Sequence, residues 1–247
     1  MNHVVIEAGK AERRYWLDLW SYRGLLFFLS WRDILVRYKQ TVFGVLWAII
    51  RPVLNTIVFV IVFSRLAKMP SDGVPYPLLV FSAMLPWQFF ASALSETSNS
   101  LIGNANMISK VYFPRLVLPL STVAVALVDY LVTLVILFGM MAFYGVAPTW
   151  RLLVLVPLTI LAMLAALGPG LVLAVLNVKY RDFRYVLPFV VQFGLYLSPV
   201  GFTSNVVPEQ WRLVYSINPM VGVIDGYRWA VSGKAAFIDW RGFGMSL

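Results

Sequence analysis

The sequence predicts an all-α integral membrane protein, and three observations carry that prediction. Hydrophobic residues make up 60% of the chain and charged residues only 13%, with a mean hydropathy of +0.79, whereas soluble domains are typically about 25% charged. Long apolar runs recur, and several match the roughly 20 residues that cross about 30 Å of hydrocarbon. A basic amphipathic stretch stands directly before the first of them.

Residues 1–19 are polar and mixed in charge and read as a cytoplasmic tail. They are not followed by a signal peptide, because the apolar run 25–29 is too short and leads into charges. Over 20–40, Trp20, Gly24, Phe27, Trp31, Ile34 and Tyr38 recur at spacings of three and four, with Arg23, Arg32, Asp33, Arg37 and Lys39 opposite. That pattern predicts an amphipathic interface helix resting among lipid headgroups. Residues 42–64 form the first span, with Arg51 its only charge. Pro70, Gly73, Pro75 and Pro77 then mark a turn. The second span, 78–94, contains Pro86, which predicts a kink. Residues 96–115 form a polar cytoplasmic interval. The third span, 116–144, holds Asp129 near its middle, and the fourth, 152–178, is interrupted at Gly168-Pro169-Gly170, which predicts a bent or unwound helix. A fifth, 185–202, is barely of span length. Residues 203–235 are apolar but broken every few positions, so they read as two short helices split at Asn218-Pro219, interfacial or re-entrant.

Topology follows from Lys and Arg. With the N-terminus inside, twelve fall on the cytoplasmic side and seven outside, leaving Arg51 in the first span. The bias favours a cytoplasmic N-terminus. The same placement explains the net charge of +9 through membrane topology and anionic headgroups, so no nucleic-acid partner is expected. The chain has no cysteine and one histidine, His3, so no metal site and no catalytic residues are expected. No G-x-x-x-x-G-K-[ST] loop occurs: Gly9-Lys10 and Gly233-Lys234 are each followed by Ala. The chain therefore does not bind and hydrolyse ATP alone.

Four segments, RDILVRYKQTVFGVLWAIIRP, NMISKVYFPRLVLPLS, NVKYRDFRYVLPFVVQFGLYLSPVGF and INPMVGVIDGYRWAV, together resemble the permease subunit of ABC-2-type polysaccharide exporters, which carry O-antigen, teichoic acid or capsule. The resemblance implies a bacterial inner-membrane permease with an interface helix, six spanning helices and a periplasmic-side re-entrant pair between the fifth and sixth. It further implies a homodimer around a canal, two ATPase subunits that hold ATP and Mg, and a polysaccharide on an undecaprenyl diphosphate lipid. The sixth span is missing here, an expected sign of truncation near Leu247.

Two groups of candidate residues follow. Arg32, Asp33, Arg37, Lys39, Lys110, Tyr112, Arg115, Lys179, Tyr180, Arg181 and Asp182 lie on segments expected to couple to the ATPase, although basic inner loops occur in any membrane protein. Intramembrane charges are costly and mark function by default. Arg51 is thus a candidate for the lipid diphosphate, against simple snorkelling, and Asp129 a candidate canal residue, against a structural pairing with Arg51 or a backbone cap. Trp87, Phe89, Phe193, Tyr196, Trp211, Tyr215 and Tyr227 offer aromatic faces to sugar rings, and Gln192 a polar contact. An ordinary aromatic belt would use the same residue types. The rival functions are an ABC-2 permease for a drug or lipid and a membrane-embedded enzyme on lipid-linked glycans. The enzyme would need clustered carboxylates or histidines, whereas Asp129, Asp182, Glu209, Asp225 and Asp239 are scattered.

Overall fold

In the computed structural model, which describes residues 15–39, 44–71, 73–180, 182–234 and 240–246, the described chain is helical apart from its connections. The tail 1–14 and Arg181 lie outside these residues. Helix α1 (Tyr15–Ser21) leads into α2 (Arg23–Lys39), so helical structure starts before residue 20, inside the stretch read as tail. Leu19 is the reason, because it packs with Leu29, Phe113, Val117 and Leu118 in a small apolar cluster. Helix α3 (Gly44–Phe59) widens into a π-helical stretch, Val60–Leu66. Next come α4 (Tyr76–Gly103), the single turn α5 (Ala105–Ile108) and α6 (Val117–Phe143). A 3₁₀ turn at Trp150–Val154 opens α7 (Leu155–Lys179), followed by α8 (Phe183–Leu197), α9 (Glu209–Tyr215), α10 (Pro219–Ser232) and α11 (Trp240–Ser246).

Four described helical stretches are long and apolar enough to cross a membrane: Leu46–Leu66, Tyr76–Gly103, Val117–Phe143 and Trp150–Lys179. Helix α8, at 15 residues, is shorter than the roughly 20 needed to span unaided.

Helix α4 is the axis of the fold. Its apolar window is 72% buried, far more than any other span, and α6, α7 and α10 all pack on it. Two expectations are corrected here. The second span does not stop at 94 but continues to Gly103, because its polar residues bond back to their own helix. Ser98 Oγ and Asn99 Nδ2 both donate to Ser95 O at 2.8 Å, and Ser100 Oγ to Thr97 O at 2.7 Å. Nor does Gly168-Pro169-Gly170 unwind α7, which runs through it as one helix. The missing side chain serves close packing instead, since a Cβ on Gly170 would stand 2.8 Å from Thr97 Cγ2 on α4. Lower on the same contact, Asn177 Nδ2 donates to Ser98 O at 2.9 Å.

Helix α10 forms where Asn218-Pro219 predicts a break. Asn218 Oδ1 accepts from Met220 N–H at 3.0 Å, Pro219 opens the first turn, and Gly233 closes the helix at φ +72°, the left-handed conformation that favours glycine. Its residues are almost all buried, so it is a core helix and not one lying on the interface. Arg228, only 1% exposed, explains how a cation tolerates that position. Its guanidinium donates to Phe202 O at 2.7 Å and Val200 O at 3.0 Å, stapling the segment after α8 to the core.

Helix α2 is amphipathic, but with a different face turned inward. Tyr22, Leu25, Leu26 and Leu29 pack on the start of α6, while Trp20, Phe27 and Trp31 are exposed. Periodicity defines the faces of a helix but not which neighbour each meets. The exposed aromatic stripe suits a membrane surface.

Candidate functional site

A cavity of about 470 Å³ lies between α2, α3, α4 and α6, with Leu195 of α8 at its edge. Arg51, Trp87, Phe89 and Asp129, four of the proposed canal residues, line it together with Arg37 and Tyr38. Asp129 sits midway along α6, an apolar helix in which a charge is costly without a partner. Arg51 projects from α3 over the ring of Trp47, its guanidinium carbon 5.8 Å from the ring centroid. Among the described residues no carboxylate lies in ion-pair range of Arg51. Trp87, stacked obliquely on Phe90, and Phe89, on Tyr130, contribute aromatic walls from α4. The cavity thus joins an uncompensated guanidinium to aromatic and hydroxyl-bearing surfaces, a combination suited to an anionic headgroup carrying a sugar.

Its one lining carboxylate, Asp129, is held by other partners. The expected Asp129–Arg51 pairing does not form. Arg37 takes that place, donating to Asp129 Oδ2 at 3.0 Å through one terminal nitrogen and to Glu96 Oε1 at 2.9 Å through the other. Tyr38 Oη donates to the second oxygen of Asp129. Burial, and then the hydrogen bond to Asp129, push the Tyr38 phenol above its ordinary value, so it remains a donor. Arg37, on a segment expected to couple to the ATPase, turns its guanidinium toward the spanning helices. This follows from the course of α2, which runs beside the first half of α6 from the Val117–Leu118 cluster to Asp129. Nothing in the sequence alone marks Glu96 or Tyr38 as a site residue. Glu96 reads as loop once the second span is ended too early, and Tyr38 as one more aromatic on an apolar face.

The other canal candidates do not join the cavity lining. Gln192, Phe193 and Tyr196 lie on the exposed face of α8, with Tyr196 stacked on Phe59 of α3 at 6.3 Å. Trp211 is exposed on α9. Tyr215 turns its hydroxyl inward beside Asp225, and burial raises its phenol, the Asp225 charge adding to the effect. Tyr227 has no exposed surface. Its hydroxyl is tied to Tyr130 at 2.8 Å and Thr159 at 2.6 Å, a knot joining α10, α6 and α7, so in this conformation it holds helices together and does not face a canal.

Of the coupling candidates, Lys39, Lys110, Tyr112, Arg115, Lys179, Tyr180 and Asp182 are exposed. Arg32 is paired with the adjacent Asp33 at 2.7 Å. The 104–116 connection and α1 meet through Tyr15, whose Oη accepts from Leu116 N–H at 3.3 Å. Beside that bond lies a second open cavity, of about 450 Å³, lined by Tyr15 and residues 108–115. Three coupling candidates, Lys110, Tyr112 and Arg115, therefore share one surface. Lys179, Tyr180 and Asp182 follow α7 and do not line it. Among the described residues, no group of three or more His, Cys, Asp or Glu is arranged to hold a metal ion.

The profile of the ABC-2 type transporter family matches residues 24–231. An O-antigen export system permease protein RfbA of Klebsiella pneumoniae is 29% identical over 205 residues, covering 83% of this chain and 78% of its own length. An RfbA of Myxococcus xanthus is 28% identical over 215 residues, covering 85% and 81%. A polysialic acid transport protein KpsM of Escherichia coli is 24% identical over 205 residues, covering 81% and 78%.

Proposed function

The chain belongs to the ABC-2 type transporter family, and on that premise we propose that it is the membrane-spanning subunit of an ATP-driven exporter of lipid-linked polysaccharide, of the O-antigen kind. The similarity to O-antigen export permeases over more than four-fifths of the chain carries this reading. The cavity is consistent with it: Arg51 offers charge to a diphosphate, while Trp87 and Phe89 offer apolar faces to the first sugars. Two copies of the chain enclose the path, and two separate ATPase subunits supply ATP and Mg from the cytoplasmic side. They dock on the surface of α1, α2 and the 104–116 connection. The N-terminus is cytoplasmic in this arrangement, and the lipid carrier is an undecaprenyl diphosphate.

The test is reconstitution in proteoliposomes with and without the cognate ATPase, with undecaprenyl diphosphate-linked glycan as cargo. Appearance of glycan on the far side that requires both subunits and ATP supports the reading. ATP-driven movement of a hydrophobic drug or plain lipid, with the glycan left behind, would replace it by another ABC-2 transport function. Glycan turnover by this chain alone would make it an embedded enzyme.

A further inference from the structure

The cavity contains two cations and one of the two carboxylates that Arg37 binds, and their pairing decides what charge the cavity presents. One guanidinium, Arg37, bridges Glu96 of α4 and Asp129 of α6, and the neighbouring Tyr38 occupies the remaining oxygen of Asp129. Both donors sit in the last turn of α2, directly ahead of the first span. While this latch is closed the carboxylates are engaged, and Arg51 on the opposite wall presents its charge to the cavity. If the end of α2 withdraws, two like charges on adjacent spanning helices lose their counterion. On apolar helices such charges demand another, and Arg51 is the other cation in the cavity lining.

We infer that the Arg37–Glu96–Asp129–Tyr38 cluster is a charge switch that sets the cavity's affinity for an anionic lipid headgroup. The inference rests on the polysaccharide-export reading. With the latch closed, Arg51 attracts a phosphate or diphosphate ester. With the latch open, Asp129, no longer neutralised, competes for Arg51 from the cavity wall with Glu96 adding negative charge behind it, and the headgroup meets its own sign and is expelled. Helix α2 carries the movement, since its Leu29 face packs beside Phe113 of the 104–116 connection while its far end holds the latch. One rigid helix therefore joins the coupling surface to the cavity, as a two-state transmission requires. Arg37 is a positioning residue here: it acts on the headgroup through the carboxylates it neutralises.

The switch predicts variants that err in opposite directions, which structural damage does not produce. In the complete complex of permease and ATPase in proteoliposomes, Arg37→Gln leaves the carboxylates bare, so half-saturation for undecaprenyl diphosphate-linked glycan should rise about tenfold. The double variant Glu96→Gln with Asp129→Asn removes the competing wall. Its half-saturation should stay at or below wild type while maximal export falls about tenfold and ATP hydrolysis continues. The charge exchange R37E with E96R returns a guanidinium between two carboxylates and should recover part of the wild-type export. It also serves as the test should Arg37→Gln fail to assemble. Shifts of half-saturation in the same direction for both neutralising variants, or a charge exchange no better than R37E alone, would overturn the switch. A wild-type complex that exports no glycan under ATP would instead refute the polysaccharide reading itself.

Discussion

Arg228 and Arg51 are both arginines on apolar helices, and their surroundings give them opposite duties. Arg228 is enclosed, and its donors are spent on backbone carbonyls of the segment after α8. Replacing it with Met keeps the bulk but orphans those carbonyls, each at about 1–3 kcal/mol. Thermal unfolding of Arg228→Met in detergent should therefore show a loss of roughly 3 kcal/mol or more, with Arg228→Lys only partly better because an ammonium lacks the planar fork. Arg51 has an exposed guanidinium and no carboxylate partner among the described residues. Arg51→Gln should leave the unfolding temperature near wild type yet weaken glycan-lipid binding roughly ten- to hundredfold, the worth of a charged hydrogen bond, with Arg51→Lys intermediate. The rarity of intramembrane charge made Arg51 and Asp129 legible as candidates. Their partners were not, because pairing depends on which helices lie side by side. Arg37 reads as one more cation on a polar helix face, and Arg228 as an outer-surface charge.

At the scale of the helix, α4 and α7 carry the architecture, and their contact turns on one absent side chain. Gly168-Pro169-Gly170 looks like an interruption because proline removes a donor and glycine costs about 1 kcal/mol in a helix. Packing decides otherwise, since Gly170 lets α7 approach Thr97, an instance of small residues bringing membrane helices together. Gly170→Ala should destabilise by about 1–3 kcal/mol through overpacking against a stiff β-branched neighbour. Thr97→Ala alone should be close to neutral, because the Thr97 hydroxyl is buried with no hydrogen-bond partner. Made first, it should remove most of the Gly170→Ala penalty. Thermal unfolding of the four combinations checks this, and additive losses would show that the two residues do not meet. The long apolar helix α6 was legible to within a residue or so at each end, because hydropathy alone delimits it. The lower third of α4 was not. Ser, Thr and Asn read as loop in water, but here Ser98, Asn99 and Ser100 satisfy themselves on their own helix, and α7 packs over the stretch.

For the whole molecule, the proposed orientation in the bilayer rests on charge, counted once buried cations are set aside. The positive-inside bias concerns cations in loops and near helix ends. Arg228 is enclosed and leaves the outer total at six, while Arg37 is committed to Glu96 and Asp129 and leaves the inner total at eleven. The asymmetry sharpens from twelve against seven to nearly two to one, in favour of the proposed arrangement with the N-terminus inside. The fold provides the sites to test it, because α4 and α7 each run from one face to the other, so that Lys68 lies beyond the start of α4, Lys110 beyond its end, and Lys179 at the end of α7. The chain has no cysteine of its own, so each site can be read singly. A membrane-impermeant maleimide should label Lys68→Cys and Val206→Cys in intact cells, and Lys110→Cys and Lys179→Cys only after permeabilisation, with Arg228→Cys refractory in both. Labelling in the reverse pattern would put the 104–116 connection and the last turn of α7 outside the cell. An ATPase working from the cytoplasm would then have no access to the surface where α2 meets that connection, and the charge switch at Arg37 would lose its source of motion.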